Sequence, residues 1–398
     1  METFITAYNG SMKKGCWLRL QRLVTFMARQ GYRIYLIVPE AFEVPDHPNL
    51  IKLPVGKSRF KTPSLERIGT AIRSALLAKG VARQATKASL LSFDTRNGLS
   101  FLTAGRWCEH QILFIRGETK YQAKYNEPFL YGLFIRALDL LVKRKADTII
   151  YNNSLSLFRE AELCRKLNIR SHKVPNDTCV APQCRIPASR KTFTIGYCGQ
   201  FTKRKNVEFL IQAFLALNER QPARLVLQGN WQGMIWVEKY LDRERYPNIQ
   251  LNGWNHDTTA FYEEIDLFVL PSLFDDFSNA AVDAVTYGLP VLLSNTGGSP
   301  EIVEDNPTLL FDLRNGPLAL AERIEHAMQH YASMCREVGK LAAKYSFNWE
   351  HEMLDLLPRS GPSTPSESEK VPVEAALASS ANHSSLPQPG KRLPVESQ

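Results

Sequence analysis

Strand-like and helix-like segments alternate along this chain, and this alternation restricts its fold more than any other feature. Residues 3–8 ("TFITAY") and 32–39 ("YRIYLIVP") have the apolar character of buried strands, and residues 18–30 between them have helical periodicity. A strand, a helix and a second strand in this order form a βαβ unit, in which the two strands are parallel. The sequence therefore predicts an α/β fold with a parallel sheet.

The same alternation begins again near residue 193. Before it, residues 174–188 contain three prolines and no clear period, which indicates a linker. We therefore predict two tandem α/β domains, 1–175 and 192–345, joined by a linker over 176–191. Further predicted elements are strands at 88–93, 111–116, 147–153, 193–199, 223–229, 249–254, 266–272 and 290–295, and helices at 206–218 and about 279–287.

The length and composition fit two compact domains. A chain of 398 residues with 44% hydrophobic composition can bury two cores of about 150 to 200 residues each. The longest apolar stretch, residues 129–142, is interrupted by Arg136 and Asp139 and is shorter than the roughly 18 to 20 residues that span a bilayer. Because the N-terminus also lacks the pattern of an export signal, we expect no transmembrane helix and a cytoplasmic location. Residues 359–398 are rich in Ser and Pro, which predicts a disordered C-terminal tail.

Positive charge is concentrated in the first half of the chain. The net charge is +9, but residues 1–190 hold 31 Lys and Arg against 14 Asp and Glu, whereas residues 191–398 hold 18 against 26. Such a basic surface attracts nucleic acid, an anionic membrane or a phosphorylated substrate, and composition alone does not choose among them. No nucleic-acid-binding motif or aromatic stacking platform accompanies the charge, so we expect no nucleic-acid partner.

One helix of the basic half suggests contact with a membrane. Apolar residues repeat there at helical spacing, and basic residues lie beside them: Leu65, Ile68, Ile72 and Leu76, with Arg67, Arg73, Lys79, Arg83 and Lys87. This pattern is typical of an amphipathic helix that lies on anionic lipid. It is equally typical of a helix that packs on its own domain and keeps its basic side chains in water.

The cysteines do not indicate a metal site or a disulfide framework. Their number is seven, which is odd, and their spacings are scattered, as for reduced thiols. The nearest approach to a metal pattern is Cys164, His172, Cys179 and Cys184, whose spacing matches no zinc template. We therefore expect no metal ligands and interpret these residues as buried small hydrophobic side chains.

The stretch "FDDFSNAAVDAVTYGLP" after the strand at 266–272 places two carboxylates near a short helix. Ser278 or Asn279 is a suitable N-cap and Gly288 a suitable C′ residue. Ligands of open α/β sheets bind at the carboxyl ends of strands, where free backbone N–H groups of a helix attract phosphate. Asp275 precedes the helix and Asp283 lies inside it, so a carboxylate is available to the vicinal hydroxyls of a ribose. The alternative is that Asp275 only stabilises the helix dipole and that Asp283 is solvated.

The stretch "GQFTKRKN", residues 199–206, joins the first strand of the second domain to its first helix. It places Lys203, Arg204 and Lys205 at the same predicted edge of the sheet, where basic groups grip a diphosphate. The alternative is an ordinary surface cluster of positive charges.

These residues carry a resemblance to a known family. Over residues 1–358 the chain resembles the family 4 glycosyltransferases, which are retaining group 1 enzymes, most clearly in "IGYCGQFTKRKNVEFLIQAF", "DLFVLPSLFDDFSNAAVDAVTYGLPVLLSNTGGSPEIV" and "YSFNWEHEMLDLL". The resemblance implies the GT-B architecture, in which two Rossmann-like parallel-sheet domains face each other across a cleft. It also implies that residues 346–358, around Trp349, form a helix that crosses back to the first domain.

The resemblance implies donor contacts for both carboxylates. The family carries two glutamates separated by seven residues, and Asp275 and Asp283 occupy those positions. In the family the first carboxylate contacts the donor sugar and the second the ribose, while amides like those of Phe277, Ser278 and Asn279 line the sugar and phosphate site. Because Asp is one methylene shorter than Glu, these contacts require a backbone shift or a different sugar.

Further positions follow from the same resemblance. An arginine and a lysine normally hold the diphosphate; Lys205 keeps its place, Gln200 stands where the arginine would be, and Arg204 is available to compensate. The acceptor-side glycine loop corresponds to Gly10 and Gly15. Arg116 occupies the position of a common histidine.

Two of the candidate catalytic residues have alternative interpretations. Arg116 lies at the end of a strand and is expected to face the cleft; the alternative is an ion pair with Glu118 or with another neighbouring residue. Asp94 is a polar group able to take the acceptor proton, and the alternative is a turn residue.

The implied activity is transfer of a sugar, of hexose type, from a nucleoside diphosphate sugar to a hydroxyl group. The resemblance implies retention of configuration, no cofactor and no required metal. The expected partners are the nucleotide sugar, a glycan or lipid-linked acceptor in polysaccharide or lipopolysaccharide assembly, and an anionic membrane surface on the inner face of the membrane. The alternatives are a non-catalytic sugar-nucleotide-binding or scaffold protein on the same fold, and a sugar-nucleotide epimerase. A nucleic-acid binder is the least supported interpretation.

Overall fold

A computed structural model provides the three-dimensional structure of the chain. It describes residues 2–10, 15–56, 63–117, 121, 124, 129–178, 180–185, 192–242, 244–255 and 257–357. The tail predicted over 359–398 therefore lies outside the described residues, and so do Glu118 and Cys179.

The first domain is built on a seven-stranded parallel sheet with strand order β3-β2-β1-β4-β5-β6-β7. Its strands are β1 (Thr3–Ala7), β2 (Arg33–Pro39), β3 (Leu50–Val55), β4 (Ala88–Phe93), β5 (His110–Ile115), β6 (Thr148–Tyr151) and β7 (Arg170–Lys173). Its helices are α1 (Gly15–Arg29), α2 (Pro63–Gln84), α3 (Leu99–Ala104), α4 (Phe129–Lys143) and α5 (Ser154–Lys166). Helix α1 covers one face of the sheet, and α2, α3 and α4 contribute to the core on the other face.

The second domain is built on a six-stranded parallel sheet with strand order β10-β9-β8-β11-β12-β13. Its strands are β8 (Phe193–Gln200), β9 (Ala223–Asn230), β10 (Ile249–Asn252), β11 (Leu267–Leu270), β12 (Val291–Ser294) and β13 (Leu310–Phe311). Its helices are α6 (Val207–Asn218), α7 (Ile235–Glu238), α8 (Thr259–Glu264), α9 (Asn279–Thr286), α10 (Ser299–Ile302), α11 (Gly316–Gln329) and α12 (Tyr331–Gly339). The predicted α/β class, with two parallel-sheet domains, is confirmed.

A last helix, α13 (Trp349–Asp355), belongs to the core of the first domain although it follows the second domain in the chain. Trp349 and Met353 are fully buried there, and Trp349 lies close to the ring of Phe114 with centroids 5.6 Å apart. The cation of Arg19, on α1, lies 5.4 Å from the Trp349 ring centroid. The two domains are thereby joined by a second crossing of the chain.

Helix α2 packs on its sheet with small side chains and exposes larger ones. Ala75, Ala78 and Ala82 are buried, because small residues allow a helix to approach a sheet closely. Ile72 and Leu76 are 46% and 55% exposed. Two residues of the predicted apolar stripe, Ile72 and Leu76, are therefore turned towards solvent, whereas Ile68 packs against the core. None of the helices in the described part of the chain is both long and apolar enough to cross a membrane.

Candidate functional site

Helix α9 begins where the chain leaves the carboxyl end of β11. Ser278 is its N-cap residue and makes no side-chain capping bond, so the first amides of the helix stay available to a ligand. At the other end, Gly288 has a φ of +62°, and the amides of Gly288 and Leu289 donate to Val285 and Ala284 at 2.9 and 3.0 Å. These bonds form a Schellman motif, which confirms the prediction of Gly288 as the C′ residue.

Asp275 is buried in an ion-paired cluster with two basic residues of the loop after β8. Lys205 Nζ donates to Asp275 Oδ2, and Arg204 Nη1 donates to the Phe274 carbonyl at 2.7 Å and to Asp275 Oδ1 at 3.3 Å. Burial by itself raises the pKa of Asp275, but attraction to Lys205 and Arg204 outweighs burial and holds that pKa below its usual value. The structure thus brings together three residues that the sequence placed in two separate motifs.

Two adjacent glycines hold the loop that carries Asp275. The amide of Gly298 donates to the Asp275 carbonyl at 2.8 Å. A Cβ atom built at Gly297 would lie 2.0 Å from the Asp275 carbonyl oxygen, and one built at Gly298 would lie 1.8 Å from that of Asp276. Only glycine allows so close an approach, and Gly297 also has a φ of +61°.

Asp283 lies apart from that cluster and faces a large cavity. Thr178 Oγ1 donates to Asp283 Oδ1 at 2.6 Å, so the carboxylate already accepts a bond from a hydroxyl group. Burial raises the pKa of Asp283 to about 6, against the opposing effects of the Thr178 bond and of Arg19. The cavity has a volume of about 890 Å³ and is bounded by α1, by residues 177–178 and 180–183, and by α9. This is large enough for the nucleoside part of a nucleotide.

The N-terminus of α9 meets the first domain at Asn279. Asn176 Nδ2 donates to Asn279 Oδ1 and to the Phe277 carbonyl, both at 2.8 Å, and Arg116 Nη2 lies 3.4 Å from Asn279 Oδ1. A Cβ atom built at Gly15 would lie 2.5 Å from Asn279 Nδ2, so the start of α1 is in contact with the start of α9. Four predicted site residues are therefore neighbours across the two domains.

Asp94 has an unusual backbone conformation at the end of β4. Its φ is +77°, in a region that favours glycine, and its side chain accepts a bond from the amide of Thr95 at 2.8 Å. Thr95 Oγ1 in turn donates to Asp139 at 2.5 Å. Asp94 therefore caps a turn, as the alternative interpretation expects, while its carboxylate stays partly exposed. Gly10 lies in the loop after β1, beside the ring of Tyr8.

Gln200 is the last residue of β8. Its backbone carbonyl accepts a bond from the hydroxyl of Tyr197 at 2.7 Å. Within the described ranges, the Gln200 side chain makes no hydrogen bond with the protein and is half-buried.

Residues 176–178 were missed by the sequence analysis, which placed them in a linker. All three are buried, and Asp177 accepts bonds from Arg19 and from Arg22, the latter at 2.6 Å. Arg22 also forms a two-pronged pair with Glu350 of α13, at 2.6 and 2.9 Å. The start of the linker, α1 and α13 are thus tied together directly beside Asp283. The proline-rich composition of the segment gave no signal of this burial.

No group of three or more His, Cys, Asp or Glu side chains is placed to hold a metal ion in the part of the chain that the structure describes. Cys164 is buried beside the hydroxyl of Tyr151, at 3.6 Å, and Cys184 is exposed. Burial is therefore confirmed for Cys164, and the prediction that Cys184 is buried is wrong, because Cys184 lies on an exposed part of the linker.

The two facing parallel-sheet domains define a GT-B architecture, and the comparisons with known proteins agree. Residues 192–330 match the family model described as Glycosyl transferases group 1. The resemblance to group 1 glycosyltransferases that the sequence indicates is confirmed over residues 192–330.

The matches to curated relatives cover only part of the length of each relative. The chain is 27% identical over 163 residues to the capsular polysaccharide biosynthesis glycosyltransferase CapM of Staphylococcus aureus, a match that spans 40% of this chain and 39% of the relative. It is 29% identical over 164 residues to the O-antigen chain mannosyltransferase B of Escherichia coli, spanning 39% of this chain and 42% of the relative. The chain therefore matches about two fifths of the length of these relatives.

Solved structures match over nearly the whole fold. The sucrose-phosphate synthase of Thermosynechococcus elongatus has a TM-score of 0.73 at 15% identity, covering 89% of this chain and 97% of that one. WaaG, a glycosyltransferase involved in lipopolysaccharide biosynthesis, has a TM-score of 0.68 at 15% identity, covering 89% and 99%. Anabaena HepE, solved with UDP-glucose, has a TM-score of 0.65 at 13% identity, covering 90% and 100%. At such identities these structures establish the shared fold.

Proposed function

We propose that this protein is a glycosyltransferase of family 4 that moves a hexose from a nucleoside diphosphate sugar to a hydroxyl group of a glycan or lipid-linked acceptor. The observation that carries the proposal is the position of Asp283, on a group 1 glycosyltransferase domain, with its carboxylate bonded to a hydroxyl group at the wall of a cavity of nucleoside size. The relatives named for capsule and O-antigen synthesis support polysaccharide or lipopolysaccharide assembly as the setting.

In this proposal the donor lies across the start of α9. A ribose hydroxyl takes the place of Thr178 Oγ1 at Asp283, and the free amides at the start of α9 bind the diphosphate. Asp275 receives the hydroxyls of the sugar while Lys205 and Arg204 keep it ionised. Developing charge on the departing diphosphate is then stabilised by groups that are already in position, which is the usual source of the largest catalytic contribution.

We propose that transfer proceeds with retention and without a cofactor or a required metal ion. The acceptor proton passes to the departing phosphate or to Asp94, whose carboxylate is partly exposed at the end of β4. The free backbone N–H groups at the start of α9 supply the electrostatic role that a metal ion has in other transferases. NMR of the product identifies its anomeric configuration and so tests whether the configuration is retained.

The test is a donor screen on the full chain. Purified protein is titrated with nucleoside diphosphates and nucleotide sugars, and transfer to glycan and lipid-linked acceptors is followed by mass spectrometry. Asp283→Ala and Lys205→Ala should each lose donor binding, whereas Arg314→Gln, on an exposed turn of the second domain, should not. Binding without transfer to any acceptor would favour the non-catalytic interpretation, and absence of binding to every nucleotide would refute the proposal.

We further propose that the first domain rests on an anionic membrane, on its cytoplasmic face. Large apolar side chains on the outer sides of α2 and α4 are 39–55% exposed: Ile72, Leu76, Leu77, Leu133, Phe134, Leu140 and Leu141. Exposed arginines, Arg67, Arg73 and Arg83, accompany them on α2. Apolar insertion combined with attraction between basic residues and lipid headgroups is the pattern of interfacial binding.

Sedimentation with vesicles tests the membrane proposal. The protein should pellet with phosphatidylglycerol-containing vesicles at low salt and much less with phosphatidylcholine alone. The double substitution Ile72→Ser with Leu76→Ser should reduce binding, while Leu318→Ser, which alters a residue 66% exposed on the second domain, should not. Equal binding by both variants would show that α2 does not contact the lipid.

A further inference from the structure

We propose that Arg116, on the first domain, binds the diphosphate of the donor and supplies the guanidinium that is missing at Gln200. The proposal rests on the function proposed above and assigns to the acceptor-side domain a direct part in holding the donor. It replaces the expectation that Arg204 compensates for Gln200.

The positive charges around Asp275 are paired with carboxylates and leave little net attraction for a diphosphate. Lys205 and Arg204 both bind the Asp275 carboxylate, and Arg204 is also attracted by Asp276. Two positive charges therefore face two negative charges within one buried cluster. Arg204 is held further by its bond to the Phe274 carbonyl at 2.7 Å, so its guanidinium is committed to the loop. A dianion at this site needs an additional cation.

Arg116 is such a cation. Among the described residues, no carboxylate lies within ion-pair distance of its guanidinium, whose only hydrogen bond is the 3.4 Å contact with Asn279 Oδ1. Its Nε atom is buried and has no partner. Arg116 is half-buried, and a partly desolvated guanidinium with no carboxylate beside it among the described residues is suited to bind an anionic ligand. The ion pair with Glu118 considered from the sequence involves a residue outside the described ranges.

Two helix N-termini converge on the same point. Helix α1 begins at Gly15 and α9 at Asn279, and these two residues are in contact. Neither helix carries an acidic residue in its first turn, so no carboxylate of that turn offsets the positive end of either dipole. Arg116 lies beside both, at the end of β5. Its effect extends to Arg19, whose pKa is lowered to about 10 by burial and next by repulsion from Arg116.

This arrangement recognises the phosphates and not the nucleoside. A guanidinium binds two phosphate oxygens side by side, and the two helix ends add backbone N–H groups directed at the same ligand. The cavity beside Asp283 would hold the nucleoside independently of Arg116. Loss of Arg116 should therefore strongly weaken the binding of nucleoside diphosphates and leave the binding of nucleosides almost unchanged.

The experiment measures dissociation constants of the full chain by calorimetry, for the nucleoside diphosphate selected by the donor screen and for the matching nucleoside. Arg116→Gln should weaken the affinity for the diphosphate by about 10- to 100-fold, the usual loss for a charged hydrogen bond. The affinity for the nucleoside should change by less than about twofold. The diphosphate affinity of Arg116→Lys should lie between those of Arg116→Gln and the wild type, because a lysine keeps the charge but cannot bind two phosphate oxygens side by side. Arg106→Gln, which removes an exposed charge elsewhere on the first domain, is the control.

A second substitution distinguishes a phosphate contact from a general loss of structure. Adding Gln200→Arg to Arg116→Gln should restore at least tenfold of the lost affinity, because it returns a guanidinium to the second domain. Unchanged diphosphate affinity in Arg116→Gln, or equal losses for nucleoside and diphosphate, would overturn the assignment while leaving the proposed function intact. Failure of the wild type to bind any nucleoside diphosphate would overturn both.

Discussion

Replacing Asp283 by Asn should make the protein more stable at neutral pH. The buried Asp283 carboxyl has a pKa of about 6, compared with 3.8 for an exposed one. A shift of about two units corresponds to roughly 3 kcal/mol, at 1.36 kcal/mol per unit. This is an upper value, because the adjoining cavity admits water that screens the charge.

The sign of the effect follows from proton binding. Between about pH 4 and pH 6 the folded protein holds the Asp283 proton more tightly than the unfolded chain does, so the free energy of unfolding falls as the pH rises. Above that range the full cost of the buried charge is present. Asn carries no charge and still accepts the hydrogen bond from Thr178. Asp283→Asn should therefore gain up to about 3 kcal/mol near pH 7.5 and nothing near pH 4.

Urea denaturation of the wild type and the variant across pH 4 to 8 measures this difference. Asp275→Asn is the matched control of opposite sign, because it leaves Lys205 and Arg204 buried without their carboxylate and should lower stability at neutral pH by about 3–5 kcal/mol. If Asp283→Asn is less stable than the wild type at pH 7.5, or if its advantage is independent of pH, the reasoning about the buried carboxylate is wrong.

Substitutions at three further positions test other contacts. Thr178→Val removes the hydroxyl bond that opposes the rise of the Asp283 pKa, so that pKa should increase further, as measured by NMR titration of the carboxyl carbon. Gly297→Ala combines a φ of +61° with a Cβ atom 2.0 Å from the Asp275 carbonyl, so the loop must shift and donor affinity should fall at least tenfold by calorimetry. Trp349→Ala empties a fully buried site and should lower the free energy of unfolding by about 3–5 kcal/mol, whereas Trp349→Phe should cost clearly less. A loss below about 1 kcal/mol would contradict the role of α13 in the first-domain core.

The sequence predicted the central strands of both sheets and the edge strand β10, and it missed the other three edge strands. Strand β4 has the bounds that the pattern indicates, and its six residues are all buried. Strands β3, β7 and β13 were not predicted, and each lies at an edge of its sheet. An edge strand needs fewer apolar residues, as the exposed or half-buried residues of β7 show, so its pattern is weak.

The candidate site was predictable where its signals are local. Helix caps and turn glycines act over a few residues, which is why the sequence limited the N-cap to Ser278 or Asn279 and identified the C′ residue Gly288. The burial of Asn176 and Thr178 depends on the approach of α9 from a distant part of the chain, so composition gave no indication of it. The orientation of α2 was likewise set by the close packing of its alanines against the sheet, which hydrophobic periodicity does not reveal.

Helix α13 also determines the order in which the protein can mature during synthesis. The first domain leaves the ribosome first, but the side chains of Trp349, Met353 and Leu357 fill its core and are translated after the whole second domain. At roughly 5–20 residues per second, the nascent first domain waits on the order of ten to forty seconds with an open apolar face. During this interval it is exposed to chaperones and to aggregation, and a chain that stops before Trp349 would never close that face.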